Sequence, residues 1–283
     1  MYDSNGPATA ASAFTLFVFK FGSTQKAQFS LSDFKVKSTI PSSFKSKPKL
    51  VFRSSLTKSE KELEARFRAT FYSDELEKYN PLPNYNVAPT HVMPVITNED
   101  PEHFRPLRWG LIPFWAKDLR IGYKMINARK ETVLEKSAFK NAVQKHRCIV
   151  PMDGYYEWKK VGKSKQPFRV VVRDQDIFSV AGLWAKWKSP EGVLYETYTI
   201  LTQEPSPSIA HIHDRMPAIL SRDQEVEWLD TDLSPSEALK ILEPYPDSQI
   251  DAYTVSARVG KVTENDKGLI DPAQESDVQS TLF

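Results

Sequence analysis

The run Arg147-Cys148-Ile149-Val150-Pro151-Met152-Asp153-Gly154-Tyr155-Tyr156-Glu157-Trp158 holds two β-type stretches in quick succession. Residues 148–150 form a short apolar run of the kind that fills a sheet. Cys148, the only cysteine of the chain, sits in that run and reads as a small buried hydrophobe, not a nucleophile. Glu157 follows inside a second strand-like run, where it is either an exposed strand residue or a carboxylate presented for chemistry. Further short β-type runs flank this core at 85–87, 92–96, 107–112, 168–172, 178–184, 196–202 and 253–255. Helical patterns interrupt them at 134–146, 222–229 and 235–242. Thr57-Lys58-Ser59-Glu60 reads as a capping box that opens a helix to about Ser73, with Leu63, Phe67 and Phe71 on one face. The pattern predicts an α+β fold: one domain with a curled, mostly antiparallel sheet or barrel and peripheral helices.

Composition narrows the function classes. The chain has 283 residues, 40% hydrophobic and 26% charged, enough apolar content for a sizeable core. Ten glycines, with no G-x-G-x-x-G or G-x-x-x-x-G-K-[ST] among them, argue against a dinucleotide or P-loop site. One cysteine excludes an internal disulfide and a thiolate zinc cage. No run is apolar enough for a transmembrane helix, and 14–19 lacks the flanks of a secretory signal. Neither a metal nor a cofactor is expected: His211-x-His213 has no obvious third ligand.

Charge is unevenly placed on a chain whose formal net charge is +2. Residues 104–147 hold eleven Lys and Arg against three acids, whereas 220–283 hold five against fourteen. A basic zone of this kind is either a footprint for phosphates or a solvated face. Residues 1–49 carry seven Lys, no Arg and two Asp, with no sustained period, and are expected to form a disordered N-terminal extension. A transit peptide would favour Arg, and a start near residue 50 is a further alternative. The body is expected over 50–272, followed by a C-terminal tail, 273–283.

Five segments carry the chemistry: 85–89, 108–115, 126–131, 147–158 and 211–217. They supply a carboxylate, an imidazole, an amide, arginines and aromatics, an acid/base set among groups that hold phosphates and stack on bases. Each has a plainer reading, since such tryptophans are more often core than platform and a lone His is often structural. Together they closely resemble the SOS response-associated peptidase (SRAP) family of abasic-site processing proteins, from about Leu50 to Pro272. The shared motifs are N-V-A-P-T, R-W-G-L-I-P-x-W, N-A-R-x-E-T, R-C-x-V-P-x-D-G-Y-Y-E-W and H-x-R-M-P.

The resemblance implies binding to single-stranded DNA containing abasic sites. It also implies a covalent link in which an N-terminal Cys closes a thiazolidine on the sugar aldehyde. It assigns catalytic roles to Asn127, Glu157 and His213, and DNA contacts to Arg53, Pro89, Arg129 and Arg215. Trp109 and Trp115 match the family's aromatic surface. An imidazole suits opening of the closed sugar near neutral pH, and a carboxylate can take the proton of an attacking amine. The two arginines flanking the site could clamp phosphates through both arms of the fork.

One position departs from the family. Its members open Met-Cys-x-Arg, whereas the matching run here is Leu50-Val51-Phe52-Arg53, so Val51 stands at the nucleophile. Valine has no thiol, and its α-nitrogen is part of the chain. A degenerate member that only binds DNA, a wrongly assigned start or altered 5′ end, and upstream processing that frees a new terminus are the three explanations. An N-terminal-nucleophile peptidase and a non-catalytic DNA-binding module are the rival functions. A cytoplasmic, monomeric protein, associated with the nucleoid when bound to DNA, is expected.

Overall fold

The structure, a computed structural model, describes residues 52–273. The expected extension, Val51 and the tail from residue 274 lie outside the described residues. In chain order the first elements are β1 (Arg53–Leu56), α1 (Glu60–Phe67), β2 (Thr70–Phe71), β3 (Asn84–Val87), β4 (Val92–Thr97), β5 (Asp100–Trp109) and β6 (Asn127–Arg129). Then come α2 (Ser137–Lys145), β7 (Arg147–Met152), β8 (Gly154–Val161), β9 (Ser164–Val172), β10 (Phe178–Lys188) and β11 (Leu194–Gln203). The last are β12 (Met216–Pro217), β13 (Ile219–Leu220), α3 (Arg222–Leu229), α4 (Pro235–Ile241) and β14 (Ile250–Thr254).

Five strands close on themselves. β4, β7, β10 and β11 pair antiparallel in that order, β4 also pairs antiparallel with β5, and β5 returns to β11 in parallel. The closing contact sets Thr197 beside Arg108 and Tyr198 beside Trp109. Closure removes sheet edges and lets the inward side chains fill one core. A second, antiparallel sheet runs β14-β9-β8-β1-β3. The expected α+β class, with its curled sheet and peripheral helices, is therefore the observed one.

The stretch 147–158 belongs to both sheets. All six residues of β7 are buried. Arg147 is among them, and its guanidinium donates to the carbonyls of Val143 (3.0 Å), Trp228 (2.7 Å) and Asp230 at the ends of α2 and α3. A buried cation is held there by helix C-terminal carbonyls, where the partial charge is negative. Asp153 then carries the chain from the barrel to the second sheet. Its carboxylate accepts from Ser55 Oγ (2.5 Å), Thr57 N (2.6 Å), Thr57 Oγ1 (2.5 Å) and the Arg169 guanidinium (3.1 Å). Gly154 follows because a Cβ there would lie 2.7 Å from that guanidinium, itself buried.

Two boundaries differ from the sequence reading. The first helix is capped by Ser59, whose backbone N–H donates to Glu62 (2.8 Å) and whose hydroxyl accepts from Glu62 N (3.4 Å). Thr57, the expected cap, is committed to Asp153 instead. That helix stops at Phe67 with Arg68 in the left-handed region. Thr70 and Phe71 then pair with β5, and Phe71 stacks on Phe104 at 4.4 Å. The run expected over 107–112 ends as a strand at Trp109, because Gly110 takes a φ of +116°. A Cβ at Gly110 would meet the Gly122 carbonyl oxygen at 2.6 Å, so the turn needs glycine there.

Candidate functional site

A cleft of about 210 Å³ opens where three parts of the fold meet. β6 lies parallel to β11, with Asn127 opposite Ile200 and Arg129 opposite Thr202. Strand alternation buries Ala128 and sends Asn127 and Arg129 to the other face. β8 contributes Glu157. The loop between β11 and β12 contributes His213 and Arg215. Phe52, Thr202, Met216 and Pro217 complete the wall. Asn127, Arg129, Glu157, His213 and Arg215 are far apart in sequence, and the fold brings all five to this cleft.

Glu157 is almost fully buried, at 8% exposure. Desolvation pushes its carboxyl up to about 8. The Trp158 backbone N–H and Lys165 pull it down, and Asp214 pushes it further up. A carboxyl in this state can give or take a proton near neutral pH. The backbone N–H of Arg215 donates to His213 Nδ1 (3.1 Å), which makes Nδ1 an acceptor and assigns the proton of the neutral ring to Nε2. His213 Nε2 faces Glu157 Oε2 at 3.8 Å. That is longer than a hydrogen bond, so the two groups face one space without satisfying each other. Asp214 Oδ1 is 3.2 Å from Nδ1 and would take a proton there only in the charged ring. Asn127 Oδ1 is buried without a partner, an acceptor left open beside this pair.

The buried carboxyl gives a pH-dependent stability. The folded state holds a proton on Glu157 up to about pH 8, while the unfolded value is near 4.5. The folded state binds more protons in that window, so stability falls as pH rises from 4.5 toward 8. Glu157→Gln is therefore expected to raise Tm at pH 9 relative to the parent and leave it nearly unchanged at pH 4. Parallel melts at the two pH values check this.

Other expected contacts fall elsewhere. Arg53 is buried, and its guanidinium donates to Asn86 Oδ1 (3.1 Å) and the Gly260 carbonyl (3.0 Å), so it has no free face for a phosphate. Asn86 in turn donates to the carbonyls of Lys261 and Glu264, both at 2.9 Å, which makes the 85–89 segment a brace for the 256–264 loop. Pro89 is half-buried and does not line the cleft. Trp109 is 0% exposed and belongs to the core, so neither ring face can receive a base. Trp115 is 45% exposed and lines a smaller cleft of about 80 Å³ with Phe114, His146 and Lys186. Arg215 meets Glu131 through both arms of its fork, so the expected phosphate clamp is already occupied. Cys148 is fully buried, and its thiol is held well above the usual range by desolvation.

Phe52 and Glu131 lie within the quoted motifs but carry no role there, and Thr202 lies outside the five segments. Only the β6–β11 pairing brings Thr202 to Arg129, and no local pattern signals it. Among the described residues no group of three or more His, Cys, Asp or Glu gathers in a metal-holding arrangement. No helix among them is long and apolar enough to cross a membrane.

The family described as SOS response associated peptidase (SRAP) matches residues 50–262, which takes in every wall of the cleft. The chain belongs to the SRAP family. It is 44% identical over 192 residues to the abasic site processing protein YoaM of Bacillus subtilis, covering 67% of this chain and 85% of that one. It is 34% identical over 197 residues to the abasic site processing protein HMCES of Gallus gallus, covering 57% and 58%. A crystal structure of a protein from Bacteroides thetaiotaomicron superposes with a TM-score of 0.74 at 31% identity, covering 79% of this chain and all of that one.

Proposed function

We propose that this SRAP chain binds abasic sites in single-stranded DNA and that, as the sequence stands, it forms no thiazolidine with them. The observation that carries this is the facing pair Glu157 and His213, 3.8 Å apart, in a cleft with Arg129 at its rim and Phe52 in its wall. Phe52 is covalently joined to position 51, so a nucleophile at 51 would be one residue along the chain from the cleft wall. The names of the relatives support the abasic substrate.

The roles follow from the groups. An abasic sugar is mostly a closed hemiacetal, and His213 and Glu157 can move the protons that open it to the aldehyde. Asn127 Oδ1 can accept from a donor entering the cleft. Arg129, exposed and without a carboxylate partner among the described residues, is free to meet a phosphate. Bond formation would need an amine and a thiol. Val51 has no thiol, its nitrogen is in a peptide bond, and the single cysteine is buried. The same absence weighs against a thiol peptidase. A DNA substrate would place the protein at the chromosome or nucleoid.

Binding to a single strand should weaken with salt, with a slope of about 0.7 per phosphate contacted. Arg129→Ala is expected to weaken binding and flatten that slope by about 0.7, one lost contact. Trp115→Ala should cost about 1–3 kcal/mol of affinity if its exposed ring stacks on a base, with no change in Tm. Titrations at several salt concentrations, beside a melt, check both variants. Binding that ignores salt would overturn the proposal.

A further inference from the structure

Arg215 and Glu131 meet end-on: Nη1 donates to Oε1 at 3.1 Å and Nη2 to Oε2 at 2.7 Å. Nη2 also donates to the Thr202 carbonyl at 2.5 Å. Three of the five guanidinium N–H groups are therefore taken. The end-on face, which matches two oxygens of a phosphate as well as it matches a carboxylate, is filled. The Glu131 side chain is 46% exposed and that of Arg215 only 16%, so the acid lies on the solvent side of the pair. Burial pushes its carboxyl up, but the hydrogen bonds to Arg215, a backbone hydrogen bond at Glu131 and the charges of Arg215 and Lys130 together hold it below its ordinary value, which keeps it ionised. Glu131 also follows Arg129, the exposed arginine of the rim, by two residues.

We propose that Glu131 is an internal stand-in for a strand phosphate. It holds the Arg215 fork flat against the cleft wall while the cleft is empty, and a DNA phosphate replaces it on entry. This rests on the reading of the cleft as a single-stranded DNA site. An ion pair open to solvent on one side is weak enough to be exchanged, whereas the Thr202 carbonyl keeps the guanidinium from swinging away. Arg215 then engages only a strand placed well enough to displace Glu131, and Arg129 makes the first, unopposed contact. The other arrangement, a permanent Glu131–Arg215 scaffold, predicts the opposite sign when Glu131 is neutralised.

The test is a double-mutant cycle on binding of a fluorescent single strand without an abasic site, titrated at several salt concentrations. Glu131→Gln is expected to tighten binding by about fivefold, the upper end of what one exposed ion pair is worth. The salt slope should stay near the parent's, because Arg215 meets the same phosphate in both bound states. The gain in affinity should vanish when Arg215 is also Gln. Arg215→Lys, which keeps the charge and loses the fork, replaces Arg215→Gln if melts show the latter to be unfolded. A gain that persists without Arg215 would mean simple repulsion between Glu131 and DNA, and would overturn the proposal. Weaker binding by Glu131→Gln would also overturn it, in favour of a fixed scaffold. Absence of salt-dependent binding by the unaltered chain would instead overturn the DNA reading, and this proposal with it.

Discussion

Trp109→Ala is expected to cost about 3–5 kcal/mol of folding stability, the range for deleting a large buried aromatic. The ring is fully buried, and its Nε1 donates to the Ile126 carbonyl at 2.9 Å. It stacks on Tyr198 at 6.2 Å and meets the edge of Phe52 at 5.8 Å. Trp109 and Tyr198 are also register partners in the parallel contact that closes the barrel. Truncation would therefore leave a cavity at the seam and beside the residue that leads to position 51. In a domain of this size the loss corresponds to a fall in Tm of roughly 6–20 °C. Trp115→Ala, on an exposed ring, should stay within about 0.5 kcal/mol of the parent. A thermal melt of each beside a DNA titration separates the roles. A Trp109→Ala protein of unchanged stability and weakened DNA binding would show that the ring is a stacking platform after all.

The second large effect concerns position 51. A chain shortened so that residue 51 is its first residue, and carrying Val51→Cys, is expected to form a heat-stable adduct with an abasic strand. The same shortened chain with Val51 should form none. Its free α-amine, with an ordinary pKa of roughly 7.7–8.0, can attack the sugar aldehyde. Loss of water then gives an imine, which water reverses on heating. The Cys thiol adds to that imine carbon and closes a five-membered ring, which does not reverse readily. Glu157, pushed up to about 8, is closely matched to the amine, so proton transfer between them is near balance. Trapping of the Val51 imine by borohydride should therefore rise with pH through about 8. Denaturing gels with and without borohydride read both outcomes. A heat-stable adduct from the shortened Val51 chain would show that the thiol is not what fixes the link.

Much of this was legible in the residues. Alternating short runs with interposed helices gave the α+β class, and three of the four helices fall within a few residues of their pattern. The first helix was read too long, because Phe71 keeps its i+4 spacing to Phe67 while belonging to a strand. Periodicity carries no sign of the Arg68 left-handed stop between them. The cap was misplaced for a tertiary reason: Asp153, far along the chain, claims Thr57. The cleft residues Asn127, Glu157 and His213 were found through motifs, and the fold explains their company. The arginines were harder. Arg53, Arg129 and Arg215 look alike in sequence, yet one is buried against carbonyl and amide oxygens, one is exposed and one is engaged by Glu131. Burial and partner choice decide an arginine's role, and neither is local.

The claim that joins these points is a DNA cleft whose acid/base pair is present and whose nucleophile is not. It is tested most directly by running the unaltered chain with a labelled abasic strand and with an intact strand, on native and denaturing gels in parallel. The account predicts a shifted, salt-sensitive complex on the native gel and free strand after denaturation. A heat-stable, abasic-dependent band from the unaltered Val51 chain would contradict it, as would a native gel with no shifted strand.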